Sequence, residues 1–391
     1  MDAFANVLQL PTPDGRLESY RLGGPSPFAS VAAGAFNRVA FAAAHVVADP
    51  RSPADPWLAA AIDWDATIAY RRHLWGLGFS VAEAMDTAQR GMGLDWPNAL
   101  ELIRRSAAAA KADGHRRLAS GVGTDHLDPA AAHTLDDVIR AYEEQIEAVE
   151  AAGSPVILMA SRALARAAHT PDDYVKVCDR LLGQIREPAI LHWLGDMFDP
   201  ALAGYWGSSD IDAAMATALD VIRANPAKVN GIKISLLDAG REIAMRRRLP
   251  AGVRMYTGDD FNFADLILGD GEGHSDALLG IFDAIAPAAA ASLGRLAAGD
   301  EAGFREILDP TVPLSRLIFA APTRFYKTGV VFLAWLNGHQ SHFVMVGGQE
   351  STRSLVHLAE VFRLADKARL IVDPEVAVRR MRAYLAVHGV D

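Results

Sequence analysis

Cysteine is almost absent: Cys178 stands alone among 391 residues. That excludes an intramolecular disulfide and a cysteine-rich zinc module, and it fits a reducing cytoplasm. No stretch approaches the roughly 18 consecutive apolar residues of a membrane-spanning helix. The alanine-rich run Ala284 to Ala291 is interrupted by Pro287. The N-terminus lacks a basic segment followed by an apolar one, so no signal peptide is expected. Basic clusters are scarce, and Arg246-Arg247-Arg248 is the only triplet in a chain of formal net charge -10. An acidic chain of this kind is a poor ligand for polyanions. The triplet suits the negative end of a helix dipole. No nucleic-acid partner and no membrane partner are expected. A Gly-x-Gly-x-x-Gly signature after the first predicted strand is also missing, which weighs against a dinucleotide-binding fold and a nucleotide cofactor.

What is present is apolar material, 51% against 22% charged, enough for a sizeable core. Residues 1–35 carry two alternating segments around Pro13-Asp14-Gly15, which predicts an N-terminal hairpin extension. From 36 to 290 strands and helices alternate. The strands are predicted at Arg38–His45, Ser80–Met85, Arg117–Val122, Pro155–Met159, Pro188–His192, Val229–Ser235, Val253–Tyr256 and His274–Leu278. Most are continuous apolar runs, as parallel strands covered on both faces are. Eight such units in about 250 residues predict an α/β chain folded as a (β/α)8 TIM barrel. Residues 291–391 are read as a C-terminal helical region. Its segment Val330–Trp335 is apolar enough for an interface helix or a core helix.

Barrel chemistry gathers at the C-terminal ends of strands. Reading the predicted strand ends in order gives His45, then Asp86 and Thr87, Asp125 and His126, Ser161 and Arg162, His192, Lys233, Asp259 and Asp260, and finally His274 with Asp276. Lys233 is the most informative. It lies inside the apolar run Val229–Ser235, where burial disfavours the charged amine, and a neutral amine attacks carbonyls. The bland alternative is a lysine that snorkels to solvent. His192 is the candidate proton relay, since an ordinary imidazole titrates near neutrality; it also reads as a packing histidine. Thr87 is a further candidate. Asp86, Asp125, His126, Arg162, Asp260, His45 and His274 are candidate substrate contacts. For Asp260 a helix cap, for Asp125 and His126 a turn, and for Arg162 a surface ion pair stay open.

These motifs carry a resemblance. Gly231-Ile232-Lys233 on the sixth strand, Gly258-Asp259-Asp260 after the seventh, and Phe325-Tyr326-Lys327-Thr328-Gly329-Val330 followed by Asn337-Gly338 resemble the dihydrodipicolinate synthase / N-acetylneuraminate lyase superfamily of class I (Schiff-base) aldolases, as a divergent branch. The resemblance implies a lyase that binds a small carbonyl compound as an imine on Lys233, with no cofactor and no metal, in a homo-oligomer (dimer or tetramer). The departures are specific. The family's Gly-Thr-Thr-Gly-Glu, which holds the carboxylate of a 2-oxo acid, is replaced by Asp86-Thr87-Ala88-Gln89-Arg90. Its strand-five tyrosine corresponds to His192, and its Thr-Pro-Tyr-Tyr to Ala160-Ser161-Arg162-Ala163. The substrate is therefore expected to be either a 2-oxo acid or an oxidised sugar. The rival enzyme reading is a metal-dependent barrel hydrolase or isomerase using His45, Asp125, His126, His192 and His274. A non-catalytic binding barrel is the third.

Overall fold

The computed structural model describes residues 7–28, 35–115, 117–128, 131 and 133–390. Residues 1–6 and 29–34 of the expected N-terminal extension lie outside these. The chain divides into two compact units, one of residues 1–37, 45–78 and 281–391, the other of residues 38–44 and 79–280.

The first unit opens with an antiparallel hairpin, β1 (Val7–Pro11) and β2 (Leu17–Arg21). Gly15 supplies the positive φ (+80°) that the turn requires. The hairpin is tied to helix Leu355–Lys367 by Arg363, whose guanidinium donates to the Leu10 and Pro11 carbonyls at 3.1 Å each. Helix Tyr326–Leu336 is buried at every position, so Val330–Trp335 belongs to a core helix.

The second unit is a closed barrel of eight parallel strands: β3 (Ala40–Ala43), β4 (Ser80–Glu83), β5 (Leu118–Val122), β6 (Val156–Leu158), β7 (Ala189–Leu194), β8 (Val229–Ser235), β9 (Arg254–Thr257) and β10 (Asp276–Leu279). Each strand pairs with the next, and β10 closes on β3 through Ala277–Ala40 to Leu279–Ala42. The helices start where the sequence offers caps. Asp95 accepts from Asn98 N ahead of Trp96–Ala112, a Thr134/Asp137 capping box opens Leu135–Ala151, and Asp210 caps Ile211–Ala224. Inside the barrel, inward residues of seven of the strands meet: Phe41, Ala82, Ala119, Ile157, Ile190, Tyr256 and Leu278 belong to one apolar cluster, with Phe41 edge-on to Tyr256.

Five strands (β3, β4, β5, β6 and β10) are shorter than expected, and at β3 and β10 a candidate residue falls outside the strand. β3 ends at Ala43, so His45 lies beyond it, in the first unit. β10 begins only at Asp276, because Gly269 (φ +86°) and Gly273 (φ +148°) fold residues 269–273 into a turn. His274 therefore precedes β10 and sits at the N-terminal end of the barrel, the end opposite to the one expected. Asp276 shares that end, bonded to Arg254 at 2.7 Å and to Val39 N at 2.7 Å.

Candidate active site

Lys233 points into the barrel. In the β7–β8 register it is the direct partner of His192, and in the β8–β9 register of Tyr256. Period-two alternation puts Gly231, Lys233 and Ser235 on the same inner face. The two glycines of the flanking motifs have a steric reason. A Cβ on Gly231 would meet the Tyr256 ring at 2.6 Å. A Cβ on Gly258 would meet Ser235 Oγ at 2.3 Å, the Ile234 carbonyl at 2.7 Å and Lys233 Cε at 2.7 Å. Glycine at 231 lets Tyr256 lie across β8, and glycine at 258 gives the lysine stem its channel.

The amine is buried, with the residue 7% exposed. Burial pulls its pKa below the usual lysine value, and the carboxylates of Asp260 and Asp86 oppose that shift without cancelling it. His192, 3% exposed, is driven well below the ordinary imidazole range, by burial first and by the Lys233 charge second. The proton-relay argument from an unperturbed imidazole near neutrality thus does not carry over. His192 is a neutral ring whose Nε2 faces Ser235 Oγ at 3.4 Å. Ser235 was not singled out in the sequence; its signal was its place two residues beyond Lys233, on the same face.

A cavity of about 280 Å³ opens at the C-terminal ends of β4 to β7. Of the candidates, Asp86, Asp125, Arg162 and His192 line it, together with Arg90, Thr124, Ser161 and Asp199. His192 and Asp86 also bear on Lys233, so cavity and amine share two residues. The chain reaches Asp86 through Ala84, held at φ +52° with its N–H on Glu83 Oε1 at 2.9 Å. A left-handed alanine is a strained position of the kind that marks functional loops.

Arg90 is the hub of the cavity wall. Its Nε and Nη2 grip Asp125 at 2.8 and 2.6 Å, Nη2 also reaches Gln145 Oε1 at 2.5 Å, and Nη1 reaches the Gly121 carbonyl at 2.8 Å and that of Ala84 at 3.3 Å. The guanidinium lies 4.9 Å over the Trp96 ring. Gln145, fully buried, also accepts from Gly123 N at 2.7 Å and contacts Asp125 at 3.1 Å and His126 Nδ1 at 2.8 Å. Burial pushes the Asp125 carboxyl up, but the charge and hydrogen bonds of Arg90, with Gln145, hold it below the usual range. Asp125 is thus an ionised acceptor facing the cavity. Gln145→Leu would leave Gly123 N and one Arg90 donor without their partner. We expect a loss of about 2–4 kcal/mol in denaturant unfolding, and a change under about 0.5 kcal/mol would refute the hub.

The remaining candidates stand as follows. Thr87 is buried in the turn Asp86–Ala88 after β4. Arg162, half exposed, pairs through Nε with Asp199 at 2.5 Å. His126 lies behind Asp125, between Gln145 and Glu144. Asp260 is buried and acts on Lys233, whereas the turn after β9 is made by Asp259, which accepts from Phe261 N and Asn262 N. His45 is engaged through Nδ1 by Asp283 at 2.8 Å within the first unit. The five metal-ligand candidates are not brought together: His274 is at the far end of the barrel, and among the described residues no three His, Cys, Asp or Glu side chains are grouped to hold a metal ion.

Solved structures share this fold. Dihydrodipicolinate synthase from Aquifex aeolicus superposes with a TM-score of 0.64 at 12% identity, covering 86% of this chain and 99% of that one. The synthase from Bacteroides thetaiotaomicron gives 0.62 at 15% identity over 84% and 99%, and that from Bacillus clausii 0.61 at 15% identity over 83% and 96%. At these identities the likeness is one of fold. No curated protein matches the sequence. The model of one family, described as "Protein of unknown function (DUF993)", spans residues 8–390, and with nearly every residue matched the chain belongs to that family.

Proposed function

We propose that the protein is a Schiff-base-forming lyase of the class I aldolase type, acting on a small carbonyl compound through Lys233. The observation that carries this is the buried amine of Lys233, its pKa lowered by burial, paired across the strands with a neutral histidine and acted on by two carboxylates, beside a cavity. The chemistry follows from those groups. Neutral Nζ adds to the carbonyl carbon. The C–O bond then breaks, and oxygen leaves as water carrying one amine proton and one solvent proton. The protonated imine that remains is stabilised by Asp260 and Asp86. It draws in the electron pair of a neighbouring C–H bond, releasing a proton, or of a C–C bond whose far carbon bears a hydroxyl, releasing a carbonyl fragment and the hydroxyl proton, and gives an enamine. Asp86, which faces both cavity and amine, takes the released proton. His192 and Ser235 position the amine.

Borohydride tests the proposal, since hydride addition fixes an imine as a secondary amine. Peptide mapping should find a substrate-sized mass addition on Lys233. Labelling of no compound in a panel of 2-oxo acids and keto-sugars, or equal labelling of Lys233→Ala, would refute it. The pH dependence has a defined sign. The reactive neutral amine gains population as pH rises through a value below 10.5. Trapping with cyanoborohydride should rise with pH through that value, with no second inflection near 6.5 from His192. An apparent value at or above that of free lysine would contradict the desolvated amine. A dimer or tetramer in the cytoplasm accompanies this reading, and light scattering that returns a monomer would remove the first of these.

A further inference from the structure

We infer that the cavity selects a polyhydroxylated ketone or aldehyde, a sugar-like neutral carbonyl compound, over a 2-oxo acid. The inference rests on the imine reading of Lys233 and names its substrate class. A 2-oxo acid carries its carboxylate on the atom next to the imine carbon, so binding it there brings that charge close to the lysine nitrogen. The charged groups acting on that nitrogen are the carboxylates of Asp260 and Asp86. They favour a cationic imine and repel a second anion beside it. The buried cation of the cavity cannot offset this, because all five N–H donors of Arg90 are committed to Asp125, Gln145 and the carbonyls of Gly121 and Ala84. In the turn that follows Asp86, Ala88 N donates to Met85 O and Gln89 N to Asp86 O, so these two amides are also committed. Arg162, the other lining cation, is half exposed and already paired with Asp199.

The same wall suits hydroxyl groups. Asp125 is held ionised as an acceptor, Asp86 faces the cavity, and the hydroxyls of Thr124 and Ser161 bond to each other at 2.6 Å, Ser161 Oγ also accepting from Leu164 N, which leaves one O–H between them to donate. Met159, Leu194 and Leu202 supply an apolar side for the carbon skeleton. A volume of 280 Å³ holds roughly nine waters at about 30 Å³ each, room for a sugar of several carbons.

Borohydride trapping of the full chain with erythrulose, dihydroxyacetone and pyruvate decides the matter. Erythrulose should label Lys233 at a concentration at least tenfold lower than pyruvate. Asp86→Asn removes an imine-stabilising charge for every compound and the repulsion for pyruvate alone, so it should narrow that gap by lowering erythrulose labelling more than pyruvate labelling. Pyruvate labelling Lys233 as well as or better than erythrulose would overturn the substrate class while leaving the lysine chemistry standing. If no compound labels Lys233, the lysine reading fails, and titration calorimetry with the same compounds then judges the cavity alone. Heat of binding from erythrulose and not from pyruvate supports the class, and any other result overturns it.

Discussion

Lys233→Met is expected to reduce turnover at least ~10³-fold, and to abolish borohydride labelling, without weakening the fold. The two halves of this result come from one fact. Burial is the largest influence on the Lys233 amine, and the attraction of Asp260 and Asp86 only partly offsets it. The ammonium form is therefore less favourable in the barrel than in the unfolded chain. Methionine keeps the length and apolar stem of lysine and removes the group that has to be desolvated. We expect unfolding free energy unchanged within about 1 kcal/mol, or higher than that of the native chain. The pH dependence provides an internal check. Below the depressed folded-state pKa the lysine is charged in both states and its desolvation fully opposes folding. The opposition fades as pH rises from that value to the unfolded 10.5. The advantage of the methionine variant should therefore shrink over that window. Retained turnover would remove Lys233 from the mechanism. Marked destabilisation would instead make it a structural residue whose ion pairs outweigh its burial.

The architecture was legible because barrel strands and their helices repeat two simple periodicities, and Lys233 was legible because a lysine interrupts one of them. That His192 lies on the strand next to Lys233 follows from element order, whereas the direct pairing of Lys233 with His192 and Tyr256 is a matter of register. The cavity wall was harder to read. Gln145 is the clearest case: Val138, Tyr142, Gln145 and Val149 share the buried stripe of helix Leu135–Ala151. A polar amide on that stripe signals a buried network. Its partner Arg90 comes from a loop whose course depends on left-handed residues at Ala84, Gln89 and Gly91, and no local pattern announces such a path. His274 was misplaced for a simpler reason: it opens the predicted strand His274–Leu278, and the start of a barrel strand lies at the end away from the cavity. The titration of His192 was out of reach for another reason: it depends on burial and on a charge from a neighbouring strand.

Gly258→Ala is the second large effect, and it separates the lysine's channel from the lysine itself. The added methyl would stand 2.3 Å from Ser235 Oγ, 2.7 Å from Lys233 Cε and 2.7 Å from the Ile234 carbonyl. The two side chains can turn away, but the carbonyl cannot, because it already accepts the Gly258 N–H at 2.9 Å and holds β8 to the end of β9. The strain is therefore divided: part separates the two strands and part displaces the lysine stem. Overpacking of this kind costs about 1–3 kcal/mol in unfolding. Displacing a nucleophile by about 1 Å costs on the order of 10²-fold in rate. Lys233 remains present, so borohydride labelling should persist at long exposure while its rate falls with turnover by the same factor. Ser235→Ala in the same background removes one of the three colliding atoms and should recover part of the lost stability. A Gly258→Ala protein with native labelling rate would show that the amine reaches its substrate by another route than the channel beside Gly258.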